Sequence, residues 1–411
     1  MSVSVLVVGK GAREHALAWR LSKSQSVKQV FVFPGNGGTS FDESTIEQNV
    51  APISNLTGIR TGCTRYSDLA QKARQLDVGL VVVGPDDDVV NGIEEYFREA
   101  RIPCFAPSRK AAQLEGSKVF AKTFMKKYGI PTATHSSFDD FDEASAYVRR
   151  VFTDDDHRIV IKADGLAAGK GVVLPETPEQ ALEDLRSIMK DGVFSTAGSS
   201  VVIEEYMEGL EVSILTFSDG NTFFSLPAGQ DDKRILEGNK GPNTGAMGCP
   251  FQGLLFTGVM VTKSGPKVIE YNVRLGDPET QSSMLLLSEE TDLASILLSC
   301  TTGTLDQVKR TIKVKPGFAC NVVIASGGYP GDYETGKTIS LRTPPDGVII
   351  FHAGTHRDEG GDRLLRTVGG RVFSVAAYGD TLQQARDKSY QGVECVSFEP
   401  KVFRIDIAQG V

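Results

Sequence analysis

A run about two thirds of the way along the chain, Lys267–Glu279 (K-V-I-E-Y-N-V-R-L-G-D-P-E), constrains the fold most. Its β-branched and aromatic residues predict a strand over Lys267–Val273. A tight Gly276-Asp277-Pro278 turn follows it. Side chains alternate across a strand with period two. Glu270, Asn272 and Arg274 therefore share one face, and Ile269, Tyr271 and Val273 share the other. A carboxylate beside an amide oxygen suits Mg²⁺, a hard cation usually shared with substrate phosphates. A guanidinium suits a phosphate or carboxylate, which it can grip bidentately. The competing reading is a solvated polar face on an ordinary half-buried strand.

Other short apolar runs place this strand in a larger architecture. Val5–Val8, Gln29–Phe33 and Gly79–Val83 predict strands, with helical spacing over 14–23 and 92–100. Such alternation predicts a parallel sheet covered on both faces by helices, with an edge near Pro107. A helix is predicted over Glu115–Tyr128, stopped by Gly129-Ile130-Pro131. Strands follow over Arg158–Lys162 and Gly171–Leu174, then a helix over Glu176–Lys190 and a strand over Val201–Glu205. Val212–Phe217 and Thr222–Leu226 flank a Ser218-Asp219-Gly220-Asn221 hairpin turn. Leu254–Val261 and Lys267–Val273 form a second strand pair. From about Lys313 the chain is strand-rich, with one late helix near Leu382–Gln391.

With 411 residues the chain can bury several cores. A formal net charge of -8 argues against a nucleic-acid partner, which needs a basic face. The six cysteines are scattered without a C-x-x-C pair, which predicts reduced thiols rather than a disulfide frame or zinc site. No basic leader or long apolar run is legible, so the expectation is a cytoplasmic protein with no membrane partner.

Four glycine- or charge-rich segments carry candidate chemistry. Gly9-Lys10-Gly11-Ala12-Arg13-Glu14 follows the first strand, where backbone can approach a phosphate. It fails as a dinucleotide fingerprint: Glu14 takes the third glycine position, and no acid ends the second strand at Phe33-Pro34-Gly35-Asn36. The turn could still hold a sugar phosphate, together with Pro34–Gly38 and Gly84-Pro85-Asp86. All three follow carboxyl ends of predicted parallel strands. Ile161–Val172 (I-K-A-D-G-L-A-A-G-K-G-V) is not a Walker A loop, since its glycine spacing is short and Gly171 stands where Ser or Thr would bind Mg²⁺. A glycine hairpin with flanking lysines can instead fold over a triphosphate, or simply be a mobile surface hairpin. Val201–Glu205, running into Tyr206-Met207-Glu208-Gly209-Leu210-Glu211, fits an adenine slot with a ribose carboxylate, or a strand ending in a solvated acidic turn. Gln230–Arg234 and Gly241–Gly248 (G-P-N-T-G-A-M-G) suit an anionic substrate, though alone they are charged and flexible loops.

In this order the segments resemble the ATP-grasp ligases, and within them the phosphoribosylamine–glycine ligase family in its eukaryotic, fungal-like form. The resemblance rests on Gly9–His15, Pro34–Thr39, Ala111–Lys118, Ile161–Val172, Gly241–Gly248, Glu270–Gln281, Gly328–Tyr333, Phe351–Thr355 and Gly369–Val372. It implies an α/β and α+β multidomain ATP-grasp fold. An N-terminal Rossmann-like substrate-binding domain would span 1–107. An ATP-grasp domain would span 108–300, with its lid at about 125–205, and a small β-rich C-terminal domain 301–411.

The reaction implied is ATP-dependent ligation of glycine to 5-phosphoribosylamine through a glycyl phosphate, giving glycinamide ribonucleotide for purine biosynthesis. The implied cofactors are ATP and Mg²⁺, with Mn²⁺ as an alternative. Glu270 and Asn272 would be the metal ligands. Lys118, Lys162, Gly169, Lys170, Gly171, Glu204, Glu205, Tyr206, Met207 and Glu211 would bind the nucleotide. Arg274, Asp231, Lys233 and Arg234 would be catalytic. Gly11, Arg13, Glu14, Asn36, Gly37, Gly84, Pro85, Asp86, Asn243, Thr244 and Gly245 would bind substrate. The family implies a monomer or weak dimer, fused to or associated with another purine-pathway ligase.

The chain departs from the family pattern in three places. After Gly248 it passes through Cys249-Pro250 straight into Phe251, where the family has a few dozen further, largely helical residues. Asp232 stands where the family usually has His. Asp86 stands where it usually has Glu, with an added acid beside it that could repel a phosphate. Two further readings therefore stay open: a non-catalytic nucleotide-binding paralogue disabled by the shortened segment, and another ATP-grasp carboxylate–amine ligase.

Overall fold

The computed structural model describes residues 2–40, 50–59, 65–152, 158–166, 171–230, 252–358 and 363–409. The first sheet holds five parallel strands: β1 (Val3–Gly9), β2 (Val27–Pro34), β3 (Ile53–Asn55), β4 (Val78–Val83) and β5 (Cys104–Phe105). Their order is β3-β2-β1-β4-β5. Parallel neighbours need crossovers, and helices α1 (Ala12–Ser22), α2 (Arg65–Gln75), α3 (Asp86–Val90) and α4 (Ile93–Glu99) supply them. Helices on both faces explain why Val5, Leu6, Val7 and Val8 are all buried, odd and even positions alike. Strand order reverses between β1 and β4, which opens a crevice above their carboxyl ends, the usual ligand position in such sheets.

The predicted helix over Glu115–Tyr128 corresponds to α6 (Lys118–Lys127), and its first two residues belong to a separate preceding helix, α5 (Arg109–Gly116). Ser117 breaks it with an extended backbone, φ -141° and ψ 117°, and serves as the N-cap of α6. Its hydroxyl accepts from Phe120 N–H at 3.1 Å, and Asp164 accepts from Val119 N–H at 3.1 Å. A long-range carboxylate therefore helps begin α6 where local periodicity shows no break.

The next layer is a small antiparallel sheet. It is built from β6 (His135–Phe138), β7 (Ile159–Ala163), β8 (Val172–Val173) and β9 (Val201–Glu205), in the order β6-β9-β7-β8. Helices α7 (Phe141–Val151) and α8 (Pro178–Met189) close over it around Val148, Ile161, Leu185 and Ile203. The central sheet comprises β10 (Leu210–Asp219), β11 (Phe223–Ser225), β12 (Gly229–Gln230), β13 (Gln252–Thr262) and β14 (Gly265–Asn272). Asp219 fixes the β10–β11 turn by accepting from Asn221 and Thr222 N–H at 2.9 and 2.6 Å. Despite the abbreviated segment before Phe251, β13 pairs antiparallel with both β10 and β14, with Phe256 opposite Asn272 and Gly258 opposite Glu270.

Helices α9 (Glu279–Leu286), α10 (Leu293–Thr302) and α11 (Leu305–Val308) follow. Leu215, Phe217, Leu254 and Phe256 of the central sheet share one core with Val5, Val7, Leu17 and Leu297. The first and central sheets are thus joined by continuous packing.

The C-terminal region contains β15 (Phe318–Ser326), β16 (Ser340–Leu341), β17 (Val348–His352), β18 (Thr355–Arg357), β19 (Leu365–Thr367), β20 (Arg371–Gly379), β21 (Val396–Ser397) and β22 (Lys401–Val402). Its main sheet runs β17-β20-β15-β22, with α12 (Leu382–Val393) packed against it. It docks on the first sheet through buried polar contacts: His352 N–H donates to His15 Nδ1 at 2.9 Å, and Asn36 Nδ2 donates to His352 O at 2.8 Å. Cys104, Cys300, Cys320 and Cys395 are buried and form no disulfide. Among the described residues no helix is long and apolar enough to cross a membrane.

Candidate active site

Strand β14 carries a bulge beside its functional residues. Gly258 pairs with Glu270 and Val259 with Val268, so Ile269 has no opposite number. Bulges re-aim neighbouring side chains, and here both Ile269 and Glu270 are buried. Glu270 and Asn272 are each 2% exposed, which rules out a solvated polar face. Asn272 Oδ1 is buried and has no hydrogen-bond partner among the described residues. Such an acceptor normally costs free energy unless something meets it.

The strand ends at Asn272, so Arg274 stands in the following turn rather than on the strand face. Glu115 fixes it there. One Glu115 oxygen pairs with Arg274 Nη2 at 2.9 Å, and the other accepts from Val273 N–H at 2.9 Å. Burial raises the Glu115 carboxyl above its usual range, against the pull of Arg274.

A buried cationic group faces this strand. Glu204, near the end of β9, bridges two ammonium groups: Lys162 Nζ at 3.1 Å and Lys122 Nζ at 3.2 Å. Burial would raise the Glu204 carboxyl, but the two lysines outweigh it and hold it below its ordinary value. Lys122 is completely buried, and burial pushes it down to about 8. It also donates to Thr132 Oγ1 at 2.7 Å, and that hydroxyl donates to Val268 O of β14 at 2.6 Å.

Lys118, at the start of α6, is 8% exposed and approaches Gly165 O at 3.4 Å. Burial lowers its pKa, opposed by Glu270 and aided by Lys162. Next to Glu204, Glu205 pairs with Lys267 at 2.7 Å, and the Arg158 guanidinium lies over the Tyr206 ring at 4.1 Å. Met207 follows in the same link, and Glu211 lies on β10. Gly171 accepts from Ala163 N–H at 2.7 Å, closing the hairpin base.

The turns above the first sheet are largely occupied by their own side chains. Gly11 N–H donates to Glu14 Oε2 at 2.6 Å, and Arg13 Nε meets Glu14 Oε1 at 2.5 Å. Glu14 therefore takes the helix N-terminus that a phosphate could have used. It also explains two glycines: a Cβ on Gly84 would sit 1.8 Å from Glu14 Oε1, and one on Gly9 2.4 Å from Glu14 Cγ. Arg13 Nη1 donates to Leu275 O at 3.1 Å, tying this turn to the Gly-Asp-Pro turn.

Asn36 spends its amide internally, donating to Lys10 O at 2.9 Å and His352 O at 2.8 Å and accepting from Gly38 N–H at 2.9 Å. Gly37 N–H donates to Thr355 O at 3.1 Å. Pro85 is the N-cap of α3, whose first residue is Asp86. The nearby acid Asp88 turns away, pairing with Arg65 and accepting from Tyr66 OH at 2.7 Å.

Beside these turns lies a cavity of about 980 Å³ closed by the C-terminal region. Gly11 and Asn36 line it, as do Lys10, Arg357, Arg363 and the Arg371–Asp277 ion pair at 2.9 Å.

The fold thus brings Glu270, Asn272, Lys118, Lys162, Glu204 and Arg274 to one region where the β6-β9-β7-β8 sheet and the central sheet meet. Gly11, Arg13, Glu14, Asn36, Gly37, Gly84, Pro85 and Asp86 gather at the neighbouring crevice. Gly169, Lys170, Asp231, Lys233, Arg234, Asn243, Thr244 and Gly245 lie outside the described residues. Sequence reasoning assigned no role to Lys122, Glu115, Asp164, Arg357, Arg363 or Arg371. Lys122 had a local signal, since it lies four residues after Lys118 and hence on the same helix face, and Glu115, Asp164 and Arg371 lie within runs that carry the family resemblance.

The sequence models of the phosphoribosylglycinamide synthetase N, ATP-grasp (A) and C domains match residues 3–115, 116–250 with 248–280, and 319–410. The A-domain match comes in two pieces meeting at 248–250, where the chain is abbreviated. The bifunctional purine biosynthetic protein ADE1 of Schizosaccharomyces pombe is 44% identical over 439 aligned positions, covering 99% of this chain and 53% of that protein. The chain thus spans about half the length of this bifunctional relative. The phosphoribosylamine–glycine ligase of Rhodopirellula baltica is 38% identical, covering 98% of this chain and 97% of that protein. The crystal structure of phosphoribosylamine–glycine ligase from Thermotoga maritima superposes with a TM-score of 0.75 at 32% identity, covering 99% of this chain and all of that one. The biotin carboxylase domain of Hydrogenobacter thermophilus 2-oxoglutarate carboxylase gives a TM-score of 0.70 at 16% identity, covering 98% of this chain and 92% of that one, a likeness of fold alone.

Proposed function

Because the chain belongs to the phosphoribosylglycinamide synthetase family, an ATP-grasp family, we propose that it ligates glycine to 5-phosphoribosylamine. ATP would be converted to ADP and phosphate, and the product would be glycinamide ribonucleotide for purine biosynthesis. The observation that carries this reading is the buried group of Glu270, Asn272, Lys118 and Lys162, with a large cationic cavity beside the adjoining turn. The comparisons favour neither a non-catalytic paralogue nor another ATP-grasp ligase.

Glu270 and Asn272 fit Mg²⁺, with Mn²⁺ as a second hard cation. Both donors are oxygen, both are buried, and Asn272 Oδ1 lacks a partner among the described residues. Among those residues no group of three or more His, Cys, Asp and Glu side chains could hold a metal alone. That suits an ion completed by water and nucleotide oxygens. When bound, the metal would draw together nucleotide phosphates and offset the charge that spreads during phosphoryl transfer.

The chain's own residues would do the rest. A glycine carboxylate is a poor electrophile until it is phosphorylated. Lys118 and Lys162 would place positive charge on the phosphates in a dry site, where it acts most strongly. Gly169, Lys170 and Gly171 would cover the phosphates from the hairpin. Glu204 to Met207 and Glu211 would hold the adenosine. Arg274, kept in place by Glu115, would orient an anionic substrate, assisted by Asp231, Lys233 and Arg234.

The ribosylamine would lie in the cavity, with its nitrogen toward the Gly-Asp-Pro turn. The internal bonds of Gly11 and Asn36 leave them as walls. Lys10, Arg357 and Arg363 would then supply charge to the sugar phosphate. Asn243, Thr244 and Gly245 would complete the substrate side. The relatives' bifunctional names support a link to a further purine-biosynthetic activity. We place the protein in the cytoplasm as a monomer or weak dimer.

Glu270→Ala tests the metal assignment. The expected result is loss of Mg²⁺-dependent ATP turnover with an unchanged circular dichroism spectrum. Turnover retained within twofold would sink it.

A further inference from the structure

Lys122 lies outside the groups used above, although it is a fully buried lysine in contact with one of them. A buried ammonium is expensive unless paired, and its two contacts are specific. Glu204 Oε1 lies 3.2 Å away, and Thr132 Oγ1 accepts at 2.7 Å. The other Glu204 oxygen holds Lys162 at 3.1 Å. Two ammonium groups thus share one carboxylate, and the trio carries one net positive charge where the β6-β9-β7-β8 sheet and the central sheet meet. If Glu204 had only Lys162, the pair would be neutral and would offer little to a phosphate.

We propose that Lys122 is a positioning residue. It acts as the built-in counter-ion of Glu204 and so leaves the charge of Lys162 available to the nucleotide phosphates. The proposal rests on the reading of Lys162 as a phosphate contact. Three features set Lys122 apart from a lysine that merely fills space. It is four residues from Lys118 on one face of α6. It is excluded from water, so its charge is weakly screened. Through Thr132 and Val268 O it is anchored to β14, the strand that carries Glu270 and Asn272. Lys122 would not touch the nucleotide itself.

The test compares affinities of the full chain for ATP and for adenosine by isothermal titration calorimetry. It uses wild type, Lys122→Met and the double variant Lys122→Met/Glu204→Gln, after thermal melts establish folding. The readout is the ratio of the two affinities, which isolates what the phosphates contribute.

Lys122→Met should lower that ratio by roughly 10-fold or more, the effect of one charge at close range. The double variant removes both charges, leaves Lys162 unneutralised, and should restore the ratio toward wild type. A wild-type ratio in Lys122→Met overturns the proposal and leaves the nucleotide reading standing. Equal loss of adenosine and ATP in that variant also overturns it, since that is the mark of a structural role. If Lys122→Met does not fold, the double variant decides: a ratio well below wild type overturns the proposal. Wild-type protein that binds ATP no better than adenosine overturns both the proposal and the reading beneath it.

Discussion

The Arg274–Glu115 pair offers the sharpest test of how the site is held. Its side chains are 11% and 4% exposed, and Glu115 additionally accepts from Val273 N–H. Glu115→Ala leaves the guanidinium without its carboxylate, and breaking a buried ion pair from one side costs about 3–5 kcal/mol. It also orphans the Val273 N–H, worth about 1–3 kcal/mol if no water enters. The two losses overlap, so the expected destabilisation is about 3–5 kcal/mol. At roughly 2–4 °C per kcal/mol for a unit of 150–250 residues, Tm should fall by at least ~6 °C. Glu115→Gln keeps the Val273 acceptor and loses only the charge, so it should lie between wild type and Glu115→Ala. Differential scanning calorimetry measures both variants. A Glu115→Ala protein melting within 1–2 °C of wild type would refute the reasoning, since Arg274 would then be held by something else.

Two further outcomes follow from the crevice. His15 is held neutral by burial, with a pKa near 4 against an ordinary 6.5. Between those values the unfolded chain binds more protons than the folded one. The His15 contribution to stability should therefore be lost as pH drops from about 6.5 to 4, on the order of 3 kcal/mol, and its neighbour His352, also held neutral by burial, adds in the same direction. Denaturation at several pH values checks this, and His15→Gln should flatten the slope; an unchanged slope contradicts it. Gly84→Ala places a methyl against Glu14, displacing the side chain that caps α1 and pairs with Arg13. A cost of about 1–3 kcal/mol is expected, read as a lower Tm that is less than additive with Glu14→Ala. Full additivity would contradict the clash.

Much of this was legible in the residues themselves. Three strands of the first sheet, β1, β2 and β4, are short β-branched runs, whereas β3 (Ile53–Asn55) and β5 (Cys104–Phe105) are too short to leave a pattern. The β10–β11 hairpin is announced by Ser218-Asp219-Gly220-Asn221, whose aspartate makes the turn bonds. What sequence periodicity missed has physical causes. The break between α5 and α6 is made at Ser117 and reinforced by Asp164, 45 residues beyond Val119, which local periodicity cannot show. Helix α10 reads as a nearly continuous apolar run because Ala294 and Leu298 fill the gaps between Leu293, Ile296, Leu297 and Cys300, whose own spacing is helical. At the site, Glu270 and Asn272 stand out by type and spacing. Their shift in setting does not, because the bulge at Ile269 is a property of the pairing with β13. Asn36 and Gly11 look like ligand contacts because loops of that composition often are. Both line the cavity, and bonds from them also seat Glu14 and the C-terminal region.

The central claim is that this abbreviated chain still assembles a working ligase site, since β10 and β13 pair across the shortened stretch and β14 lies beside them. ADP formation by the purified chain, with Mg²⁺ present and each substrate omitted in turn, tests it most directly. The account predicts ADP and glycinamide ribonucleotide in equal amounts only when glycine and 5-phosphoribosylamine are both supplied. ATP binding without any substrate-dependent ADP would contradict it.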